Sequence, residues 1–177
     1  MNINKKIAMS GMSILSALVL LGGTAFAAFT VQAQTTGNTF SATNPNLMVS
    51  VNGNTEGNSV AGVNVTGLVP GIPSTTQNFS LHNTDSDAGA DMPVTMQLTA
   101  TGANTMSGDD LTISVNCGGG PITDTYSGWI TSAHGLGTIA PGATAACTMV
   151  ATITGAGNNA MGKSAVFDAT FAGTVGL

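Results

Sequence analysis

Apolar and polar residues alternate with a period of two along most of the chain after residue 40. Six segments show this pattern, and in each the apolar residues would share one face of a β-strand. These segments are LMVSV (47–51), NFSL (78–81), MPVTMQLTA (92–100), LTISVNC (111–117), CTMVATI (147–153) and AVFDATFAG (165–173). No segment outside the first 27 residues shows a stripe of helical period, so the pattern predicts an all-β protein.

The alternation also predicts which side chains face the core. In the longest segment the inward set is Met92, Val94, Met96, Leu98 and Ala100. In the last segment Phe167, Ala169 and Phe171 face inward. Asp168 lies between them on the outer face, and His82 falls on the outer face of its strand as a solvated side chain.

Clusters of Gly, Asn, Asp and Pro separate the predicted strands, as in NGNTEGN and TGAGNNAMG. Roughly eight to ten short strands with such turns predict a β-sandwich, and a jelly-roll-like one in particular. Pro70-Gly71 and Pro141-Gly142 each follow an apolar residue and precede a strand. Pro fixes φ at the first central position and Gly accepts a positive φ at the second, so both predict type II turns. We interpret them as corresponding strand starts in two packed sheets.

The first 27 residues have the organisation of a secretory signal peptide. A short basic segment, MNINKK, is followed by 15 apolar or small residues and by GGTAFA. Ala25, Ala27 and Ala28 mark the expected cleavage site, after Ala27 or within two residues of it. The alternative is an uncleaved anchor, but the apolar run is shorter than the about 20 residues that span a membrane. We therefore expect a cleaved signal peptide helix (1–27) and one secreted domain (28–177), with no membrane association after cleavage.

The charge distribution restricts the possible partners. The chain has no Arg, and the only Lys beyond the predicted leader is Lys163, against eight acidic residues. The mature side chains then carry a net charge of −7. Nucleic acid and anionic membrane surfaces are bound through basic patches, so neither is an expected partner. About 150 mature residues suit a single domain with its own core.

Cys117 and Cys147 are the only cysteines. An even number in an exported chain favours a disulfide, and the alternation points both side chains toward the inner face of their strands. Two buried free thiols are the alternative. A metal role is not expected, because neither histidine has zinc-ligand spacing to the cysteines.

No motif indicates an enzyme. HExxH, GxSxG, a Walker loop and a GxGxxG after a strand are all absent. Asp85, Asp87 and Asp91 in DSDAGAD are a weak candidate for a Ca²⁺ loop, but their spacing differs from an EF-hand and a hydrated acidic loop is the preferred interpretation. We expect no cofactor and no catalytic residue.

Tyr126 and Trp129 are the only Tyr and Trp of the chain, and both lie in one loop-like stretch, DTYSGWITSAHG. Two neighbouring aromatic rings could form a sugar-binding platform. Aromatic side chains that cover the end of a sandwich are the commoner arrangement. Both interpretations remain open at the level of sequence.

Three stretches resemble the TasA/camelysin family of secreted biofilm-matrix and fibre proteins. They are LGGTAFAAFT with the following TGNTFSATNPNLMVSVNG, then VNVTGLVPGIPSTTQNFSLHNTDSD, and GKSAVFDATFAGTV near the C-terminus. The resemblance is looser at residues 44–47, and the cysteine pair is not part of the family's general pattern. The metalloprotease activity described for camelysin is not carried over, because the sequence has no zinc-ligand motif.

The resemblance implies a subunit that self-assembles into extracellular fibres of a biofilm matrix or cell-surface coat. A dedicated signal peptidase of the SipW-dependent type would remove the leader. Residues 28–36 would then act as a donor strand that enters the next subunit, with Phe29, Val31 and Ala33 on one face. A secreted adhesin or carbohydrate-binding sandwich is the alternative function.

Overall fold

Thirteen strands and one short helix make up the part of the chain that the computed structural model describes, which is residues 33–35, 38–42, 44, 46–62, 64–101, 105–106, 110–154 and 163–174. In chain order they are β1 (Ala33–Thr35), β2 (Thr39–Ala42), β3 (Leu47–Val51), β4 (Ser59–Ala61), β5 (Val65–Leu68), β6 (Gln77–Asn83), β7 (Met92–Ala100), β8 (Leu111–Asn116), β9 (Ile122–Thr125), α1 (Tyr126–Thr131), β10 (His134–Ile139), β11 (Thr144–Ile153), β12 (Ser164–Ala165) and β13 (Phe167–Gly173). The predicted leader, 1–27, lies outside the described residues.

Ten of the strands form two five-stranded sheets. The β7 sheet has the order β10-β7-β13-β2-β4, and the β11 sheet has the order β3-β6-β11-β8-β9. All neighbours in the two sheets are antiparallel except β13 and β2. Both sheets turn a face of buried side chains toward one shared apolar core. The chain is therefore an all-β sandwich, as the alternation predicts.

Three phenylalanines join the two sheets at the centre of this core. Phe40 on β2 and Phe171 on β13 belong to the β7 sheet, whereas Phe79 on β6 belongs to the β11 sheet. The ring centroids of each pair are 5.5 Å apart, and both pairs that include Phe40 meet edge to face. Rings in this arrangement contribute about 0.5–1.5 kcal/mol per pair beyond the burial of their area. The trio thus holds the sheets face to face.

The six segments with alternating residues all become strands, namely β3, β6, β7, β8, β11 and β13. Their predicted inward residues are buried with two exceptions. Ala100 is exposed, because it is the last residue of β7 and follows another exposed residue there, so the prediction was wrong at this position. Cys117 is only half-buried, because β8 ends at the residue before it.

The two Pro-Gly turns have the predicted form. The Ile72 N–H donates to the Val69 carbonyl at 3.0 Å, and Gly71 has a φ of 76°. The second turn repeats this bond at 3.0 Å, and its glycine has a φ of 64°. Their interpretation as strand starts in two packed sheets was wrong, however. The strands that follow them, β6 and β11, pair with each other inside one sheet.

The stretch that contains the two aromatic residues is helical where a loop was expected. Helix α1 connects β9 of the β11 sheet to β10 of the β7 sheet. Its N-cap is Thr125, whose hydroxyl accepts the Gly128 N–H at 3.0 Å. Trp129 is fully buried, and its indole N–H donates to the Ile113 carbonyl at 2.9 Å. A helix of six residues is too short to produce a visible stripe of helical period.

Candidate assembly site

A third, small sheet contains the first strand of the described chain. Its order is β12-β1-β5, so β1 is its central strand. β1 runs parallel to β12, where Gln34 lies opposite Ser164, and antiparallel to β5, where Ala33 lies opposite Leu68. Removal of β1 would leave an unpaired backbone edge on each neighbour, and such edges accept strands from other chains. We call the space between β5 and β12 the β1 slot.

Of the predicted polymerisation residues, only Ala33 lies within the described part of the chain. Ala33 is the first residue of β1. Phe29 and Val31, like the predicted cleavage residues Ala25, Ala27 and Ala28, lie outside the described residues. The structure therefore locates the end of the predicted donor segment, 28–36, inside a sheet of its own chain.

The β5 wall of the slot is bent by a β-bulge. The register between the two strands shifts between Ala33 and Thr35, where β5 contributes one extra residue. Gly67 lies in this bulge with a φ of 71°, a left-handed conformation that glycine adopts without strain. Leu68 is buried, so apolar packing holds the wall in addition to its pairing with β1.

Both walls also have partners other than β1. On the β12 side, the Thr105 N–H donates to the Ser164 carbonyl at 3.1 Å, and the Ser164 N–H donates to Thr105 Oγ1 at 2.9 Å. On the β5 side, the chain continues into the first Pro-Gly turn, where the Gly71 N–H donates to the Ile153 carbonyl of β11 at 2.9 Å. These bonds do not depend on β1, so they can keep the slot in shape when β1 leaves.

Hydrogen bonds hold the chain at Asn38 and Thr39. Residues 36–38 alone connect β1 to β2, which belongs to the β7 sheet. Asn38 is buried, its carbonyl accepts the Gly62 N–H at 2.8 Å, and its side-chain oxygen accepts the Phe167 N–H at 3.3 Å. The next N–H, of Thr39, donates to Asp168 Oδ1 at 2.7 Å. Only two residues therefore separate β1 from a fixed point of the sandwich.

Alternation did not reveal this anchor. It places Asp168 on the outer face of β13, and the side chain is indeed half-buried rather than part of the core. Its role depends on a contact 129 residues away along the chain, which no local pattern encodes. The two-residue strand β12 is likewise too short to give a periodic signal.

Val69 and Ile72 are the exposed large hydrophobic residues of the described chain, with 41% and 59% of their surface accessible. They are the first and last residues of the turn that follows β5, and they stand next to the open end of the β1 slot. Single exposed hydrophobic residues are normal on protein surfaces. Two of them at one turn form a small apolar patch beside the end of β5.

Cys117 and Cys147 form the predicted disulfide. Their Cα atoms are 4.2 Å apart, and the bridge closes a loop with a sequence separation of 30. Asn116 of β8 lies opposite Thr148 of β11, and Cys117 and Cys147 are the next residues in this ladder. The disulfide therefore joins the end of β8 to the first half of β11. It reinforces the β11 sheet rather than joining the two sheets.

A cavity of about 290 Å³ opens beside the disulfide. Its walls come from both sheets and are mainly apolar; they include Leu81, Val94, Leu136, Ile139 and Ala145, with Cys117 and a glycine pair at the rim. Ligand pockets usually have volumes of about 300–1,000 Å³ and mainly apolar walls. This cavity lies at the lower limit of that range, so it suits a small apolar molecule.

The acidic loop is held by hydrogen bonds of its own. One oxygen of Asp85 accepts the Asp87 N–H at 3.1 Å, and the other accepts the side-chain amide of Asn46 at 3.2 Å. Asn83 is fully buried and binds this loop through the Asp85 N–H and the Ala90 carbonyl. Among the described residues, which include Asp91, no three acidic, His or Cys side chains are grouped as metal ligands.

The aromatic pair does not form a sugar platform. Tyr126 and Trp129 are 3% and 0% exposed, respectively, so their rings belong to the core. The His134 ring packs against the Trp129 ring with centroids 4.2 Å apart, and His134 Nε2 lies 3.3 Å from Asp124 Oδ2. These contacts support the position of α1.

His82 is on the outer face of its strand, as predicted, but it has a partner. Its Nδ1 lies 2.9 Å from Glu56 Oε2, and 27% of its side-chain surface is exposed. The pair joins the loop that contains Glu56 to β6, so a structural role is sufficient for it.

Comparison with known proteins finds no protein family whose model matches the chain, and no curated protein with significant sequence similarity to it. In the part of the chain that the structure describes, no helix has both the length and the apolar character needed to cross a membrane.

Proposed function

We propose that this protein is a secreted structural subunit that self-assembles into extracellular fibres of a biofilm matrix or cell-surface coat. Each subunit would insert its N-terminal strand into the β1 slot of the next subunit. The position of β1 carries this proposal: β1 is the central strand of a small separate sheet, and three residues connect it to the sandwich. A strand in this position can be exchanged between copies without any change in the two large sheets.

Exchange would keep the same backbone pairs, because β1 of a second copy meets the same β5 and β12. Short connections favour such exchange, since the closed form must turn the chain within a few residues and the exchanged form need not. Here only three residues, 36–38, connect β1 to β2, and Asn38 and Thr39 are held by hydrogen bonds to Phe167 and Asp168 of β13. The hydrogen bonds of Asn38 and Thr39 would then fix each donated strand relative to the sandwich of the subunit that donates it.

Two further properties are in line with this function. The resemblance to the TasA/camelysin family implies a fibre subunit, a jelly-roll arrangement of the two sheets and a leader removed by a dedicated signal peptidase. A disulfide is typical of proteins that mature in an oxidising compartment, which supports secretion.

The donated strand should bind mainly through its apolar residues. Each main-chain hydrogen bond contributes about 1 kcal/mol net, whereas burial of Phe29 and Val31 would add roughly 1.5–3 kcal/mol each. The test is fibre growth of the mature chain, 28–177, followed by light scattering and by negative-stain electron microscopy. Deletion of residues 28–34 should leave a folded monomer that cannot elongate.

A single charge should have nearly the same effect as the deletion. Phe29→Asp places a carboxylate on the binding face of the strand, whereas Thr30→Asp places the same charge one residue later on the opposite face. We expect the first variant to stop growth and the second to retain most of it, with circular dichroism showing that both are folded. Normal fibres from the truncated chain would remove strand donation from the proposal.

A secreted adhesin or binding module is the second candidate function. The apolar cavity beside the disulfide favours it, because the cavity lies between the sheets and suits a small ligand. The burial of Tyr126 and Trp129 argues against sugar binding through these rings. Chemical-shift changes at Leu136 and Ile139 on addition of small apolar compounds, in a chain that forms no fibres, would support this function instead.

A further inference from the structure

The turn that follows β3 contains the single Asn-Gly pair of the chain, Asn52-Gly53. These residues have φ values of 52° and 75°, and the Asn54 N–H donates to the Val51 carbonyl at 3.0 Å. Positive φ at both central positions, together with this bond, is the signature of a type I′ turn, which favours Asn followed by Gly. The geometry of the turn therefore accounts for the presence of this pair.

The same two residues can react with each other. The Gly53 nitrogen attacks Cγ of Asn52, ammonia leaves, and a succinimide ring remains. Water then opens the ring at either carbonyl, which gives an aspartate or an isoaspartate whose main chain runs through Cβ and Cγ. The net reaction replaces an amide by a carboxylate and needs no reactant other than water. A following glycine favours ring closure, because it has no Cβ to hinder the approach.

The described surroundings leave this pair unprotected. Asn52 and Gly53 are both exposed, and no atom beyond its chain neighbours lies within 4 Å of the position that a Gly53 Cβ would take. Among the described residues, neither the Gly53 N–H nor the Asn52 side-chain amide has a hydrogen-bond partner. The ring fixes the Asn52 ψ away from the value of a type I′ turn, so the turn must open for the reaction. Only the bond that closes the turn opposes this opening directly.

Asn58 also precedes a small residue, Ser59, but its environment is different. Its side-chain amide donates to the Leu47 carbonyl at 3.2 Å. Ser59 is the first residue of β4 and lies opposite Ser41 of β2. Ring closure at Asn58 would therefore have to break a side-chain hydrogen bond and distort a paired strand. The two asparagines have similar neighbours in sequence, so Asn58 serves as an internal control.

We propose that Asn52 is a site of spontaneous deamidation in the mature protein, with isoaspartate as the main product. Isoaspartate predominates because the imide carbonyl next to Cα is the more electrophilic of the two, and its opening gives this product. The reaction does not depend on strand donation, since the turn belongs to the connection between the two large sheets and not to the small sheet.

The two products should have different effects on the fold. Aspartate is accepted in a type I′ turn, so its formation adds a charge and keeps the turn. Isoaspartate lengthens the main chain by a methylene group, so the carbonyl of Val51 and the N–H of Asn54 no longer meet across the turn.

This turn begins the connection from β3 to β4, which are edge strands of the β11 and β7 sheets. Within the connection, Val49 and Gly57 exchange backbone hydrogen bonds of 2.8 and 3.0 Å along the outer edge of β3. Isoaspartate at position 52 should therefore weaken the bonds that cover this edge.

Ageing of the mature chain, 28–177, at mildly alkaline pH and below its melting temperature tests the reaction. Mass spectrometry with fragmentation that distinguishes isoaspartate from aspartate follows each asparagine, and a free peptide of residues 49–55 gives the reference rate. Because one turn hydrogen bond must open, we expect Asn52 in the folded chain to react within about tenfold of the peptide rate. Asn58 should remain intact over the same period.

The proposal is overturned if Asn58 reacts before Asn52. It is also overturned if Asn52 is unmodified after about ten half-lives of the peptide, the time in which a tenfold slower reaction reaches half completion.

Asn52→Gly is the matched control for the effect on the fold, because glycine accepts the positive φ and has no side-chain amide to react. Fresh and aged samples of both chains are compared by amide hydrogen exchange at Val49. We expect protection to fall by about tenfold in aged wild-type chains that contain isoaspartate, and to stay unchanged in the aged variant. Unchanged protection in the isoaspartate-containing chains, or an equal loss in the variant, would contradict the predicted weakening of the β3 edge.

Discussion

The two large sheets and the small sheet are held by different means. The β7 and β11 sheets have ladders of up to seven paired residues, a shared core with three packed phenylalanines, and a disulfide. The small sheet consists of strands of two, three and four residues. We therefore expect the sandwich to unfold as one unit and β1 to open locally, although Val65 and Leu68 of β5 and Ala165 of β12 also belong to the shared core. A subunit that exchanges a strand needs both properties.

Hydrogen exchange tests most directly whether the small sheet opens more easily than the two large sheets. Backbone amides of β1 should exchange through local opening, whereas central amides of β7 and β11 should exchange only when the whole domain unfolds. We expect protection in β1 to be lower by at least about a thousandfold, since each 1.4 kcal/mol of opening free energy changes it tenfold. The measurement is amide exchange of the monomer by NMR. Equal protection in β1 and β11 would show that the small sheet unfolds together with the sandwich.

Trp129→Ala should cause the largest loss of stability within the sandwich. The ring is fully buried and its indole N–H donates to the Ile113 carbonyl, so truncation leaves a cavity and removes this hydrogen bond. We expect the free energy of unfolding to fall by about 3–5 kcal/mol, measured by denaturant titration with circular dichroism. Ile72→Ala is the control, with a change near zero because its side chain is exposed.

Removal of the disulfide should destabilise the β11 sheet by a slightly smaller amount. The bridge closes a loop with a sequence separation of 30, so its loss should lower the free energy of unfolding by about 3–4 kcal/mol through the entropy of the unfolded chain. A chain with Cys117→Ser and Cys147→Ser should still exchange β1, because the bridge lies in another sheet. Loss of fibre growth in a folded double variant would connect the disulfide to assembly and contradict the separation of the two regions.

Asp168 tests the anchor between the two regions. Its Oδ1 accepts the Thr39 N–H directly after the connection to β1, so Asp168→Ala should cost about 1–3 kcal/mol. Asp168→Asn retains an oxygen acceptor and should change the stability little. Thermal unfolding of the two variants gives the comparison. Equal losses in both would indicate that the charge, rather than the hydrogen bond, holds the anchor.

Chelation of divalent cations should have the smallest effect on the stability of the protein. The Asp85 carboxylate already accepts two hydrogen bonds from the protein, so the acidic loop has an internal source of order. We expect the melting temperature of the mature chain to shift by less than about 2 °C on addition of a chelator, which corresponds to less than about 1 kcal/mol. A decrease of several degrees that added Ca²⁺ reverses would instead assign the loop with Asp85, Asp87 and Asp91 as a calcium site.

Local patterns identified the central strands of the sandwich but not the elements that make the candidate site. Apolar and polar residues alternate in β7 and β11 because one face of each strand is buried. This pattern can therefore be read from the residues of each strand alone. The small sheet shows no such pattern, because β1 and β12 together contain only five residues and are too short to alternate visibly. The resemblance to known fibre subunits implies a role for residues 28–36, whereas the position of β1 between β5 and β12 follows only from the structure.

The sequence by itself determined that this protein is an all-β domain, which residues of its long strands are buried, and that two cysteines suffice for one disulfide. Each of these properties follows from neighbours along the chain or from a simple count. Only the tertiary structure decided that the two Pro-Gly turns lead into paired strands of one sheet, that Trp129 lies in the core, and that Asp168 holds Thr39. These contacts join residues that are far apart in sequence, and their partners are chosen by the packing of whole sheets rather than by any local pattern.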